Sequence, residues 1–142
     1  MDYRRGRHVV TAMHVHLVFV THYRRGHFDA DALVRLRESF ERVAEDFSAR
    51  LVACDGEVDH VHLLVEYPPT VSISKLVNSM KGVGSRILLR DRADIRRKCP
   101  KGLWSPSYFA ASCGGAPLDI IKDYVESQRR PAAESLPYPS PA

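Results

Sequence analysis

The run Asp59-His60-Val61-His62-Leu63-Leu64-Val65-Glu66 sets two imidazoles one residue apart inside an alternating pattern. On a β-strand that spacing puts His60 and His62 on one face and sends Val61, Leu63 and Val65 into the core on the other. Two imidazoles side by side on a rigid strand can bind one metal ion and leave positions open for substrate oxygens. The same spacing recurs in His14-Val15-His16. For either pair taken alone two readings stay open, metal ligands or ordinary strand histidines.

A second set of groups lies near the C-terminus, where Tyr124 and Gln128 stand four apart. On a helix they share a face, away from the stripe of Leu118, Ile121 and Val125. A tyrosine so presented can attack a phosphodiester and conserve its bond energy in a phosphotyrosine, so that rejoining needs no ATP. Phenol is a poor nucleophile at neutral pH, its pKa being about 10. A divalent ion on the scissile phosphate would orient it and stabilise the developing charge. The histidine pair can hold such an ion, with the neutral carbonyl oxygen of Gln128 as third ligand. The alternative is a solvent-facing Tyr and Gln on a surface helix.

The elements that must position these groups follow from periodicity. Residues 9–22 read as one strand, Tyr23 to His27 as a loop, and Leu33, Leu36, Phe40, Val43, Ala44 and Phe47 as an amphipathic helix with Asp29 or Asp31 as its N-cap. Leu51 to Cys54 and Val58 to Tyr67 read as a hairpin turning at Asp55-Gly56. A helix from Ser72 runs past Gly82 and Gly84, which weaken or bend it. Residues 104–113 read as a fourth strand, and Pro117 starts the last helix. The order predicts an α+β fold: a ferredoxin-like sandwich, its antiparallel sheet covered by helices, with a C-terminal helix that carries the candidate catalytic Tyr124. The expected organisation is one domain over residues 1–130 and a Pro-rich disordered tail over 131–142.

The 142-residue chain has 44% hydrophobic and 27% charged residues, which excludes the disordered, collagenous and membrane classes. No apolar run approaches the ~18 residues of a membrane span, and the Arg-rich start lacks signal-peptide character. Three widely spaced cysteines suggest neither a disulfide framework nor a zinc site, and a cytoplasmic location is expected. The net charge of +4 is segregated. Residues 31–74 hold four basic and nine acidic side chains, whereas residues 75–101 hold nine basic and two acidic ones. A concentrated positive segment suits a phosphate-backbone partner, and it also suits a solvated helix face.

In combination these residues resemble the HUH single-tyrosine transposases of the insertion-sequence-200-like family. The resemblance rests on His16 with Tyr23-Arg24, on Asp59 to Leu64 as the HUH element, and on Tyr67-Pro68-Pro69. It continues through Ser74-Lys75-Leu76-Val77, Lys81-Gly82, Leu103 to Tyr108, and Tyr124-Val125-Glu126-Ser127-Gln128. It implies His60, His62 and Gln128 as metal ligands, Tyr124 as nucleophile, and His14 as a bystander or groove residue. It implies Mg2+ or Mn2+ as cofactor, and single-stranded DNA with a hairpin as partner, cut to a 5′-phosphotyrosine and a free 3′-hydroxyl. It also implies a homodimer whose composite active sites take the histidines from one chain and Tyr124 with Gln128 from the other. Arg24, Lys75, Lys81, Arg86, Arg96, Arg97 and Lys98 are the candidates for holding DNA. Trp104 or Tyr108 is expected either to stack a base or to belong to the core. The alternatives are a domesticated relative processing repeated palindromes and a non-catalytic single-stranded nucleic-acid binder.

Overall fold

The computed structural model describes residues 3–112 and 125–126. In chain order, Arg4–Arg5 (β1) and Val10–Thr11 (β2) form a small hairpin, followed by His14–Val20 (β3) and a 3-10 turn over His22–Arg24. Then come Ala30–Asp46 (α1), Arg50–Glu57 (β4), His60–Glu66 (β5), Ile73–Asp91 (α2), Ala93–Lys98 (α3) and Phe109–Ser112 (β6). The four long strands make one antiparallel sheet in the order β4-β5-β3-β6. The crossover through α1 leaves a gap between β3 and β4 that β5 fills, which is the split arrangement of the ferredoxin-like fold.

Alternation divides the sheet. Leu17 and Phe19 of β3 and Val61, Leu63 and Val65 of β5 are buried beneath α1 and α2, together with Leu36, Phe40, Val43, Leu76, Met80 and Leu88. Both long helices start at a side-chain cap: Asp29 accepts from Ala32 N at 2.9 Å for α1, and the Ser72 hydroxyl accepts from Lys75 N for α2. The helix α2 runs continuously through Gly84. A Cβ there would stand 3.1 Å from the Phe40 ring, so the glycine lets α1 and α2 approach closely. Trp104 packs edge-on against Phe19 and Phe28, and its indole N–H donates to the Lys81 carbonyl. It therefore belongs to the core side of the molecule.

Four expectations change. Of the strand expected over residues 104–113, only Phe109–Ser112 forms one among the described residues, and Trp104 makes an isolated bridge with Thr21. The strand expected over residues 9–22 is broken after Thr11, because Val10–Thr11 pairs back on Arg4–Arg5 and leaves β3 to begin at His14. The basic segment contains a separate short helix, α3. The hairpin turns at Val58-Asp59, with Glu57 opposite His60, and Asp55-Gly56 continues β4. Gly56 serves packing. A Cβ there would lie 2.7 Å from Leu33 Cδ2 and 2.9 Å from the His60 carbonyl. Gly56→Ala is expected to cost about 1–3 kcal/mol, as overpacking does, and to lower the urea midpoint with an unchanged m-value.

Candidate active site

Strand register builds the site on the sheet face opposite α1 and α2. The β3–β5 ladder sets Val18 against His62 and Val20 against His60, while β4–β5 sets Asp55 against His62 and Glu57 against His60. Paired residues share a face, so the two histidines stand there between acidic side chains on one flank and apolar ones on the other. Their ring centroids are 4.7 Å apart, with the planes nearly perpendicular at 81°.

The His60 ring is buried, and its Nδ1 lies 2.7 Å from Asp59 Oδ1. A carboxylate only accepts, so Nδ1 donates the hydrogen, which in a neutral ring leaves the Nε2 lone pair that a metal ligand needs. Burial draws the Asp59 carboxyl upward, but hydrogen bonds from His60 and Arg24 outweigh it and hold the group below its ordinary value. Burial, with His60 alongside, lowers the His62 imidazole and favours its neutral form, against the opposing charges of Glu57 and Asp55. Glu57, Asp59 and His60 also offer ligand atoms all within 4.8 Å of one another. Imidazole nitrogens beside carboxylate oxygens are a donor set that fits a divalent ion.

Arg24 ties this centre to the C-terminal segment. Its Nε donates to Asp59 Oδ2 at 2.6 Å, and its Nη1 lies 3.1 Å from Glu126 Oε2. The arginine reaches inward because Tyr23 and Arg24 both adopt left-handed backbone, with φ of 55° and 57°. Such residues cost roughly 1–3 kcal/mol each and persist only where the surroundings hold them. Here the buried Thr21 hydroxyl donates to the Arg25 carbonyl at 2.7 Å, and Arg24 N donates to Thr21 O at 2.8 Å. Val125 packs with Val18, Val20 and Phe109 in a small second core on this same face.

The sequence-predicted residues fall into four groups. His60, His62 and Arg24 are brought together, although Arg24 is largely buried and paired with carboxylates rather than turned toward solvent. Lys75 and Arg86 are exposed on α2, in the helical layer across the sheet from the imidazoles, and Arg96, Arg97 and Lys98 are exposed on α3. Lys81 is half-buried: its ammonium donates to the Ser105 and Ser107 carbonyls at 2.8 and 3.1 Å, and burial pushes its pKa down to about 8. Tyr124, Gln128 and the tail over 131–142 lie outside the described residues. The sequence reading gave no role to Glu57 or Asp59. The signal was the adjacency of Asp59 to His60, but Glu57 joins them only once the turn is placed at Val58-Asp59.

Comparison with known proteins gives one consistent family. The profile described as "Transposase IS200 like" matches residues 9–128. The chain is 27% identical over 128 residues to the transposase for insertion sequence element IS200 of Salmonella typhimurium, covering 87% of this chain and 84% of that one. The corresponding Salmonella typhi protein matches equally. A solved structure assigned as a candidate transposase of Deinococcus radiodurans is 26% identical, with a TM-score of 0.79, over 88% of this chain and 97% of that one. A REP-associated tyrosine transposase solved with a REP hairpin shares the fold at 16% identity and a TM-score of 0.53, over 89% and 71% of the two chains.

Proposed function

The chain belongs to the IS200-like transposase family, and from that premise we propose that it cuts and rejoins single-stranded DNA at hairpin-bearing ends through a phosphotyrosine on Tyr124. One observation carries the reading: Val125 and Glu126, the residues next to Tyr124, are tied to the histidine face, through the Val18–Val20–Phe109 cluster and through Arg24 to Asp59 and His60. The hairpin held by the REP-associated relative supports the DNA partner.

His60 and His62 would hold a divalent ion, with Gln128 as third ligand and Glu57 within reach of the same centre. Two imidazoles favour Mn2+ over Mg2+ by ligand preference. When bound, the ion supplies charge neutralisation at the scissile phosphate. Asp59 fixes the His60 tautomer, and Arg24 fixes Asp59. The phenolic oxygen of Tyr124 forms a bond to phosphorus as the bond to the 3′-oxygen breaks, and the phenolic proton ends on that oxygen as a free 3′-hydroxyl. Attack by another 3′-hydroxyl reverses the step and reseals the strand. The shared-site homodimer belongs to the same proposal: exchange of the segment around Val125 between two copies would present one chain's tyrosine to the other's histidines.

The test is incubation with hairpin-bearing single-stranded DNA and Mn2+, followed by a denaturing gel. A slower-migrating covalent species is expected, and cleavage without one would point to water as nucleophile. For the basic segment, Arg96→Ala, Arg97→Ala and Lys98→Ala together are expected to flatten the slope of log affinity against log salt by about 2. An unchanged slope would remove α3 from the DNA surface.

A further inference from the structure

A cleft separate from the histidine face opens on the other side of the turn that carries Arg24. It has a volume of about 150 Å3 and is lined by His22, Tyr23, Arg25, His27, Lys98 to Lys101 and Gly102. That is well below the ~300 Å3 at which drug-sized ligand pockets begin, and suits one small group. Its charge is of a single sign. Arg25, Lys98 and Lys101 contribute three cations, no acidic residue lines the cleft, and among the described residues none of the three has an acidic partner. By contrast Arg24, Arg90 and Arg92 nearby are each neutralised by aspartates. The charges of Arg25 and Lys98 act both on the His27 imidazole and on the Cys99 thiol, so they converge on the cleft.

Two further features go with the charge. His27 Nδ1 is buried and has no hydrogen-bond partner among the described residues. Leaving such an atom unpaired is costly to the fold and marks the cleft wall as imperfectly satisfied. The Tyr23 ring is 44% exposed at the rim, held against His22 at 4.2 Å between centroids. Three cations without acidic partners among the described residues and an exposed aromatic ring are groups that hold one unstacked nucleotide, the phosphate by charge and the base by stacking.

We propose that this cleft binds a single unpaired nucleotide of single-stranded DNA, with its phosphate among Arg25, Lys98 and Lys101 and its base on Tyr23. The inference deepens the proposed function and rests on it for the choice of DNA. The turn that presents Tyr23 and Arg25 outward presents Arg24 inward to Asp59, so a nucleotide seated here lies one turn away from the histidine centre. The cleft then acts as a clamp on the strand flanking the cut.

The experiment uses fluorescence anisotropy with labelled dT12, a probe that has no hairpin. Arg25→Ala with Lys101→Ala is expected to weaken dT12 binding at least about tenfold and to reduce the salt slope by about 1.4. Tyr23→Leu, equally demanding of left-handed backbone, is expected to weaken it at least about fivefold. Arg42→Ala, outside the cleft, should leave both unchanged. Wild-type affinity and slope in the double variant, or no binding of dT12 by the parent protein, would overturn the assignment. The same proteins assayed for the Mn2+-dependent adduct separate the two ideas. An adduct in the parent with unaffected dT12 binding in the variants sinks the cleft alone. No adduct in the parent, with dT12 binding lost in the variants, sinks the tyrosine chemistry and keeps the cleft.

Discussion

Tyr124→Phe is expected to abolish the covalent protein–DNA species and to lower single-strand cleavage by at least about 10³-fold, roughly 4 kcal/mol of transition-state stabilisation. The change deletes one hydroxyl. Its neighbour Val125 keeps its place against Val18, Val20 and Phe109, so folding and hairpin affinity should stay within about a factor of two. A gel-shift titration beside a cleavage time course checks both. Cleavage at the parental rate would assign the attack to water, and binding without cleavage in the parent protein itself would make the chain a non-catalytic binder.

His60→Ala with His62→Ala is expected to reduce cleavage by a comparable factor while hairpin binding persists. The argument for persistence is structural. Val61, Leu63 and Val65, on the opposite face, hold β5 in the core, and Asp59 keeps its hydrogen bond from Arg24 when His60 is gone. Circular dichroism separates the outcomes: native spectra with lost cleavage support ligand roles, whereas an unfolded double variant would mark the histidines as structural. Isothermal titration with Mn2+ gives a readout apart from activity, and parental heat in the double variant would place the ion elsewhere, for instance on Glu57 and Asp59 alone.

Much of the architecture was legible because it rests on periodicities of two and 3.6. Val61, Leu63 and Val65 alternate with the histidines, Leu36, Phe40 and Val43 recur on one face of α1, and Asp29 caps it, all as the pattern requires. The errors arose where local chemistry and packing compete. Asp55-Gly56 has the composition of a tight turn, yet the glycine is there because Leu33 and the His60 carbonyl leave no room for a Cβ. Val9 to Thr11 continues an apolar pattern into β3, but its backbone pairs with Arg4–Arg5.

The site was legible only at the imidazoles. Glu57 enters through a register that shifts with a three-residue move of the turn. Arg24 reads as a surface cation in sequence, and its inward course depends on two successive left-handed residues that no composition rule announces. Lys81 likewise reads as one member of a basic run, whereas the structure gives its ammonium to two carbonyls of the Ser105–Ser107 loop. Charge counted along the chain therefore overstates what is available to DNA. Arg90 and Arg92 are engaged by Asp91, Asp29, Asp31 and Asp94, whereas Arg97 and Lys98 on α3 and Arg25 and Lys101 at the cleft beside Tyr23 have no acidic partner among the described residues.

The central claim is that the histidine face and the residue preceding Val125 act on one phosphodiester. Its most direct test is mass spectrometry of the nuclease-trimmed, protease-digested adduct formed with Mn2+ and hairpin-bearing single-stranded DNA. The account predicts a nucleotide carried by the peptide that contains Tyr124, and its absence when His60 and His62 are replaced by Ala. A nucleotide on any other residue, or cleaved DNA with no modified peptide, would contradict it.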